Sequence, residues 1–178
     1  MKVIKTKLEG CVIIEPKVFH DDRGFFLETF QAERYAEQAG IRSPFVQDNY
    51  SSSSKGVLRG LHFQAANPQG KLVRVVRGAV YDVAVDIRMG SPTFGEWEAV
   101  ILSEDNKTQF WVPPGFAHGF LVLSEFADFE YKCTEYYDAA SEVSLLWNDP
   151  SLNISWPAIS PKLSEKDANA LLLADLQQ

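Results

Sequence analysis

His62, Arg59 and Lys71 stand among residues that otherwise read as buried strand. The segment runs Gly56-Val57-Leu58-Arg59-Gly60-Leu61-His62-Phe63-Gln64 and resumes at Gln69-Gly70-Lys71-Leu72-Val73-Arg74-Val75. Charged side chains are almost never buried without a partner, so charges in such a setting point to a cavity that holds a ligand. A neutral imidazole titrates near physiological pH and can take up and return a proton, which makes His62 a candidate base. Lys71 alternates with Val73 and Val75 and shares their strand face. Two readings of it are open: an edge charge that blunts aggregation, or an ammonium aimed at a developing oxyanion, worth on the order of 3 kcal/mol for a typical donor.

The same stretch half-matches a metal-site pattern. It resembles the first cupin pattern, in which Gly is followed after five residues by His-x-His, then by Glu and, six residues on, by Gly. Gly56, His62 and Gly78 fit, but Gln64 stands in place of the second His and Lys71 in place of the Glu. The second cupin pattern, Pro-x-Gly-x-x-His, is intact in Pro113-Pro114-Gly115-Phe116-Ala117-His118. Divalent metals favour imidazole and carboxylate over ammonium. The expectation is a cupin barrel without a metal, in which Lys71 supplies the positive charge.

Bulk properties set the frame. With 178 residues, 46% hydrophobic and 12% aromatic, the chain suffices for one globular domain spanning 1–178. A net charge of −7 with basic residues scattered singly is not the footprint of a nucleic-acid binder. Any anionic ligand must be met by a local cluster of cations. The apolar run behind Lys2, Lys5 and Lys7 is broken by Glu9, Gly10 and Glu15, too short for a signal peptide or a membrane span. Cys11 and Cys133 lack CxxC spacing and leave at most a single bridge open. The cytoplasm is the default compartment.

The elements that must position these groups read mainly as strands. Period-two alternation recurs over 71–77, 79–87, 98–102, 107–112, 120–123, 127–133 and 143–147, punctuated by Gly78, Gly90, Pro92, Gly95, Asn106, Gly115 and Gly119. The pattern predicts a mainly β, antiparallel jelly-roll barrel with a few short peripheral helices. In 79–87, Tyr81, Val83, Val85 and Ile87 form one face, and Asp82, Ala84 and Asp86 a more polar one. A helix is expected over 30–39, capped by Thr29 and ended by Gly40, and another after Ser164, over 165–171. Ser51 to Ser54 reads as a surface loop.

Further candidates carry two readings each. Tyr131 shares a face with Phe129 and Cys133 and is either a core tyrosine or an acid opposite a histidine base. Asp167, three residues after Ser164, occupies the acidic position of a capping box. Arg23 and Arg59 are candidate anion clamps, because guanidinium forks match phosphate geometry. Strict alternation puts Arg59 on the opposite face from His62, whereas a bulge at Gly60 would bring both to one pocket.

Taken together, the motifs resemble the dTDP-4-dehydrorhamnose 3,5-epimerases of deoxysugar biosynthesis. The likeness runs through Asp21 to Glu28, Phe45 to Asn49, Gly56 to Gln64, Gln69 to Arg74, Asp82 to Asp86, Gly90 to Gly95, Pro114 to Glu125, Trp147 to Pro150 and Leu163 to Asp167. It implies a metal-free, cofactor-free jelly-roll homodimer acting on a dTDP-linked 4-keto-6-deoxy sugar. The base would be His62 paired with Asp167, the acid Tyr131, and the enolate would be stabilised by Lys71. Substrate contacts would fall on Arg23, Glu28, Gln47, Asn49 and Arg59, with His118 lining the pocket and aromatic support near Tyr137. Tyr50 follows Asn49 where some relatives carry His. Inverting a single carbon, shifting the ketone, or binding without turnover are the competing functions.

Overall fold

The computed structural model describes residues 1–158 and 160–177, the side chain of Gln177 excepted. Thirteen strands dominate: β1 (Lys2–Lys5), β2 (Val12–Glu15), β3 (Val18–Asp21), β4 (Gly24–Leu27), β5 (Gln47–Ser54), β6 (Leu58–Gln64), β7 (Lys71–Arg77), β8 (Ala79–Asp86), β9 (Trp97–Ser103), β10 (Gln109–Val112), β11 (Phe116–Val122), β12 (Phe126–Cys133) and β13 (Glu142–Ser144). Helices α1 (Ala32–Ala39) and α2 (Glu165–Ala168) and a 3-10 turn over Leu173–Gln177 are peripheral.

Two antiparallel sheets face each other. One has the order β1-β2-β10-β7-β12-β5 and the other β13-β6-β11-β8-β9; β3 and β4 form a separate hairpin. This is the expected jelly roll, open at its edges rather than closed into a barrel among the described residues. Alternation divides the apolar side chains into three layers. Val73, Val75, Phe110, Phe129, Val80, Ala84, Phe116 and Phe120 meet between the sheets. Tyr35, Ala39 and Ile41 cover the outside of the first sheet through Ile14, Leu72 and Trp111. Leu152 and Leu173 cover the outside of the second through Leu61, Val83, Val85, Ala117 and Leu145.

Several sequence expectations are corrected. The five strands β1 to β5 lie where no alternation was read. Ser51 to Ser54 is not a loop but the end of β5, an edge strand whose register against β12 runs unbroken from Gln47↔Cys133 to Ser54↔Phe126. Backbone pairing there overrides the weak strand preference of serine. Helix α1 is capped not by Thr29 but by Gln31, whose side chain accepts from the Arg34 N–H, and it ends at Gly40 with φ +73° as expected. Helix α2 stops at Ala168, since Leu171 pairs instead with Leu145. The face of β8 carrying Asp82 and Asp86 is buried as completely as the other, because it turns with Val80 and Ala84 into the core between the two sheets. Asp86 is satisfied by Arg88, Ser91 and Thr93, which together staple the turn before β9.

Gly119 is no turn. It lies inside the fully buried β11, at the point where the register against β6 shifts: His118 pairs with His62 but Phe120 with Arg59. Two steps on β11 match three on β6, a bulge centred on Gly60, whose φ of +126° favours glycine. A Cβ on Gly119 would stand 2.6 Å from the Arg59 carbonyl oxygen and 3.0 Å from the Gly60 Cα. Gly119→Ala is therefore expected to cost about 1–3 kcal/mol of stability, read from denaturant midpoints, and to lower activity through displacement of Arg59 and His62.

Candidate active site

The bulge brings Arg59 and His62 to the same inward face. Both line a cavity of about 660 Å³ between the sheets, together with Asn49, Lys71, His118, Phe129, Tyr131, Lys162, Lys166 and Asp167. A contiguous recess of about 270 Å³ adds Gln47, Gln64, Tyr137 and Glu142. His62 and His118 come from the second sheet, Lys71 and Tyr131 from the first. A histidine thus faces a tyrosine and a lysine across the gap.

His62 Nε2 lies 2.6 Å from Asp167 Oδ1. Asp167 is 3% exposed, and its backbone N–H donates to Ser164 Oγ. The serine therefore caps α2 as the motif predicts, but the carboxylate leaves the capping box and turns to the imidazole. Burial raises the carboxyl's pKa, while the bonds from His62, Ser164 and Gly60 N–H lower it and prevail, so it sits below the ordinary range. An ionised Asp167 holds the proton on Nε2 and leaves Nδ1 as the basic nitrogen.

Tyr131 is held protonated: burial pushes its pKa up, against a hydrogen bond from Asn49. Burial pulls the Lys71 ammonium down, while Glu142 and Asp82 favour its charge. His118 Nε2 contacts both carboxylate oxygens of Asp82, at 2.8 and 3.0 Å. Asp82 is 0% exposed, and its pKa is raised by burial.

Sequence reasoning missed Asp82, although its place on the inward face of β8 was a usable signal. It also missed Glu142, Lys162 and Lys166. Glu142 accepts from Lys166 Nζ at 2.5 Å and from the Tyr137 hydroxyl at 2.9 Å. Arg59, Lys162 and Lys166 form the local cation cluster that an acidic chain needs to meet an anion. Gln64 is no vestigial metal ligand. Its amide nitrogen donates to the carbonyls of Asn67 and Tyr136, and its oxygen accepts from Asp138 N–H, so it clamps two loops. Among the described residues no group of three or more His, Cys, Asp or Glu side chains is arranged to hold a metal.

Two candidates lie elsewhere in the chain. Arg23 pairs with Asp21 on the exposed β3–β4 hairpin, and Glu28, just past β4, pairs with Arg34. Neither lines the cavity around His62. Cys11 and Cys133 are buried and unbridged.

The fold and site define a class: a jelly-roll enzyme of the cupin type, in which a histidine bonded to a buried carboxylate shares one cavity with a tyrosine and a lysine from the facing sheet. The sequence profile of the dTDP-4-dehydrorhamnose 3,5-epimerases matches residues 5–175. The enzyme of that name from Salmonella typhimurium is 57% identical over 175 residues, covering 97% of this chain and 96% of its own. The crystal structure of the dTDP-6-deoxy-D-glucose-3,5-epimerase of Legionella pneumophila in complex with dTDP-4-keto-L-rhamnose superposes with a TM-score of 0.95 at 59% identity, over 98% of this chain and 96% of that one. The dTDP-4-dehydrorhamnose 3-epimerase of Streptomyces niveus is 41% identical, over 98% of this chain and 85% of its own. The chain belongs to the dTDP-4-dehydrorhamnose 3,5-epimerase family.

The depressed pKa of Asp167 gives a signed expectation. Between the native and unfolded values the native state binds fewer protons, so the stability contributed by this carboxylate is complete above about pH 4 and lost as pH falls through the native value. Asp167→Asn is expected to remove that part of the acid slope in denaturant titrations, and to lower kcat by about a hundredfold because His62 loses its orienting partner.

Proposed function

We propose that this chain is an isomerase that inverts carbons 3 and 5 of dTDP-4-dehydro-6-deoxy-D-glucose, giving dTDP-4-dehydro-L-rhamnose. The observation that carries the reading is the placement of the His62–Asp167 pair on one sheet and of Tyr131 and Lys71 on the facing one. The ketone at carbon 4 acidifies the hydrogens on carbons 3 and 5. His62 removes one of these protons, and the electron pair moves onto the carbonyl oxygen as an enolate. Lys71 stabilises that oxygen between the two sheets, where charge interactions exceed their value in bulk water. Tyr131 gives a proton to carbon from the opposite side, which inverts the centre; His62 then releases its proton to water and the Tyr131 phenolate takes one up, and the cycle repeats at the second carbon. No redox cofactor or metal enters this chemistry.

Arg59, Lys162 and Lys166 meet the diphosphate, with Gln47, Asn49, His118 and Tyr137 as further substrate contacts. Within this reading residues 1–178 form one cupin-like catalytic domain. No helix among the described residues is long and apolar enough to cross a membrane, and two buried, unbridged cysteines accord with a reducing cytoplasm. A single-carbon epimerase is the second reading, favoured by the 41% identity to the 3-epimerase. The relatives above half identity, named as 3,5-epimerases, support inversion at both carbons.

The hairpin explains Arg23 and Glu28. Phe19, Phe25 and Phe26 on it are 51%, 53% and 69% exposed, an apolar surface that a lone soluble chain has no reason to present. In a homodimer this arm would bury its aromatics on the partner and carry Arg23 and Glu28 toward the partner's substrate.

Two experiments test these statements. Proton NMR of the substrate in deuterated water, with a chelator present, should show deuterium entering at carbons 3 and 5 with formation of the L-sugar. His62→Asn should abolish exchange, and Tyr131→Phe should keep exchange but lose inversion. Exchange at one carbon only would identify the single-centre enzyme. Separately, Phe25→Asp with Phe26→Asp should shift the sedimentation coefficient from dimer to monomer and cut kcat/KM, while an unchanged coefficient would refute the arm.

A further inference from the structure

Four side chains on adjoining strands form one corner of the cavity. Asn49 and Tyr131 are directly opposite each other across β5 and β12, and Gln47 and Cys133 are the next pair on the same face. Directly opposed residues have Cβ atoms about 4.5–5.5 Å apart, close enough for side chains to bond. Gln47 Nε2 donates to Asn49 Oδ1 at 3.0 Å, and Asn49 Nδ2 donates to Cys133 Sγ at 3.5 Å. Gln47 is itself held by the Tyr137 backbone N–H, which donates to its Oε1 at 2.9 Å. Asn49 and Tyr131 line the same cavity, and the Asn49 amide opposes the upward push of burial on the phenol's pKa. Cys133 lines neither cavity, is 0% exposed, and pairs on its other side with Lys71 of β7. Burial pushes its thiol up to about 11, so the sulfur is neutral.

We infer that Asn49 is a positioning residue for the Tyr131 phenol, and that its amide is aimed by Gln47 at the oxygen end and by the Cys133 sulfur at the nitrogen end. Once Gln47 has taken Oδ1, the Asn49 nitrogen can only face its donors outward. One hydrogen goes to the sulfur and leaves the other for the phenol oxygen. That second bond does two things. It turns the phenol's own hydrogen away from Asn49 and into the cavity. It also stabilises the phenolate that forms as the proton leaves, which opposes the burial of Tyr131. A conformational constraint thus runs from the backbone at Tyr137 through Gln47 and Asn49 to the acid, with Cys133 as its anchor in the core.

The inference rests on Tyr131 being the proton donor, and the test separates the two. Cys133 touches no substrate, so it is the residue to vary. Cys133→Val fills the space without an acceptor, Cys133→Ser restores one, and Cys133→Ala replaces valine should the larger side chain not fold. In deuterated water the ratio of labelled but uninverted substrate to inverted product is measured for each, with KM. The valine variant should raise that ratio about threefold, the size of a weak neutral hydrogen bond, with KM unchanged. Serine should return it toward the wild-type value. Wild-type ratios in both the valine and alanine variants, alongside a Tyr131→Phe enzyme that exchanges without inverting, would overturn the positioning role alone. A Tyr131→Phe enzyme that still inverts would remove the acid itself, and the inference with it.

Discussion

The hydrogen bond between His62 and Asp167 joins strand β6 to a four-residue helix more than a hundred residues later. An imidazole becomes a directed base only when one nitrogen is committed, and here the commitment comes from a buried carboxylate. The C-terminal segment delivers it by repeated attachment to the second sheet. Val57 bridges Lys162, Leu145 bridges Leu171, and Asp149 accepts from the Leu173 N–H. Leu173 then packs among Leu61, Val83 and Val85. The last turns of the chain are therefore part of the site and not an appendage to it.

Burying charge in this interior is costly, and the carboxylates Asp82, Asp167 and Glu142 near the cavity each have a partner. Asp82 meets His118, Asp167 meets His62, and Glu142 meets Lys166 and Tyr137. Among the described residues Lys71 has no such direct partner, but Asp82 and Glu142 lie near enough to favour its charge. That leaves its ammonium free to turn to a ligand oxygen. A chain with a net charge of −7 thereby presents a locally cationic cavity through Arg59, Lys71, Lys162 and Lys166.

The bulge at Gly60 reconciles two demands. Arg59 and His62 must both face inward, and Leu61 between them must face outward to pack with Leu145. A regular strand cannot place residues three apart on one face. The extra residue can, provided the neighbouring strand offers no side chain at the crossing, and Gly119 meets that condition.

The sequence by itself determined the middle of the fold and the chemical types of the site. Alternation marked β7, β8 and β12 because each turns one apolar face into the space between the sheets, and the cupin-like patterns around His62 and His118 pointed to a barrel-type site without a metal. Lys71 on the face of Val73 and Val75 followed from period-two geometry, whereas the bulge at Gly60 was one of two open readings, decided only by the register of β6 against β11. The early strands escaped because edge pairing draws on backbone hydrogen bonds, which leave little trace in side-chain type; Ser51 to Ser54 is the clearest case. Only the tertiary structure decided which carboxylate serves which histidine, since Asp82 and Asp167 reach His118 and His62 by strand order and by the path of the C-terminus. It also placed Arg23 on an exposed aromatic hairpin and Glu28 just past it, paired with Arg34, because spacing along a chain carries no record of which surface a hairpin leaves uncovered.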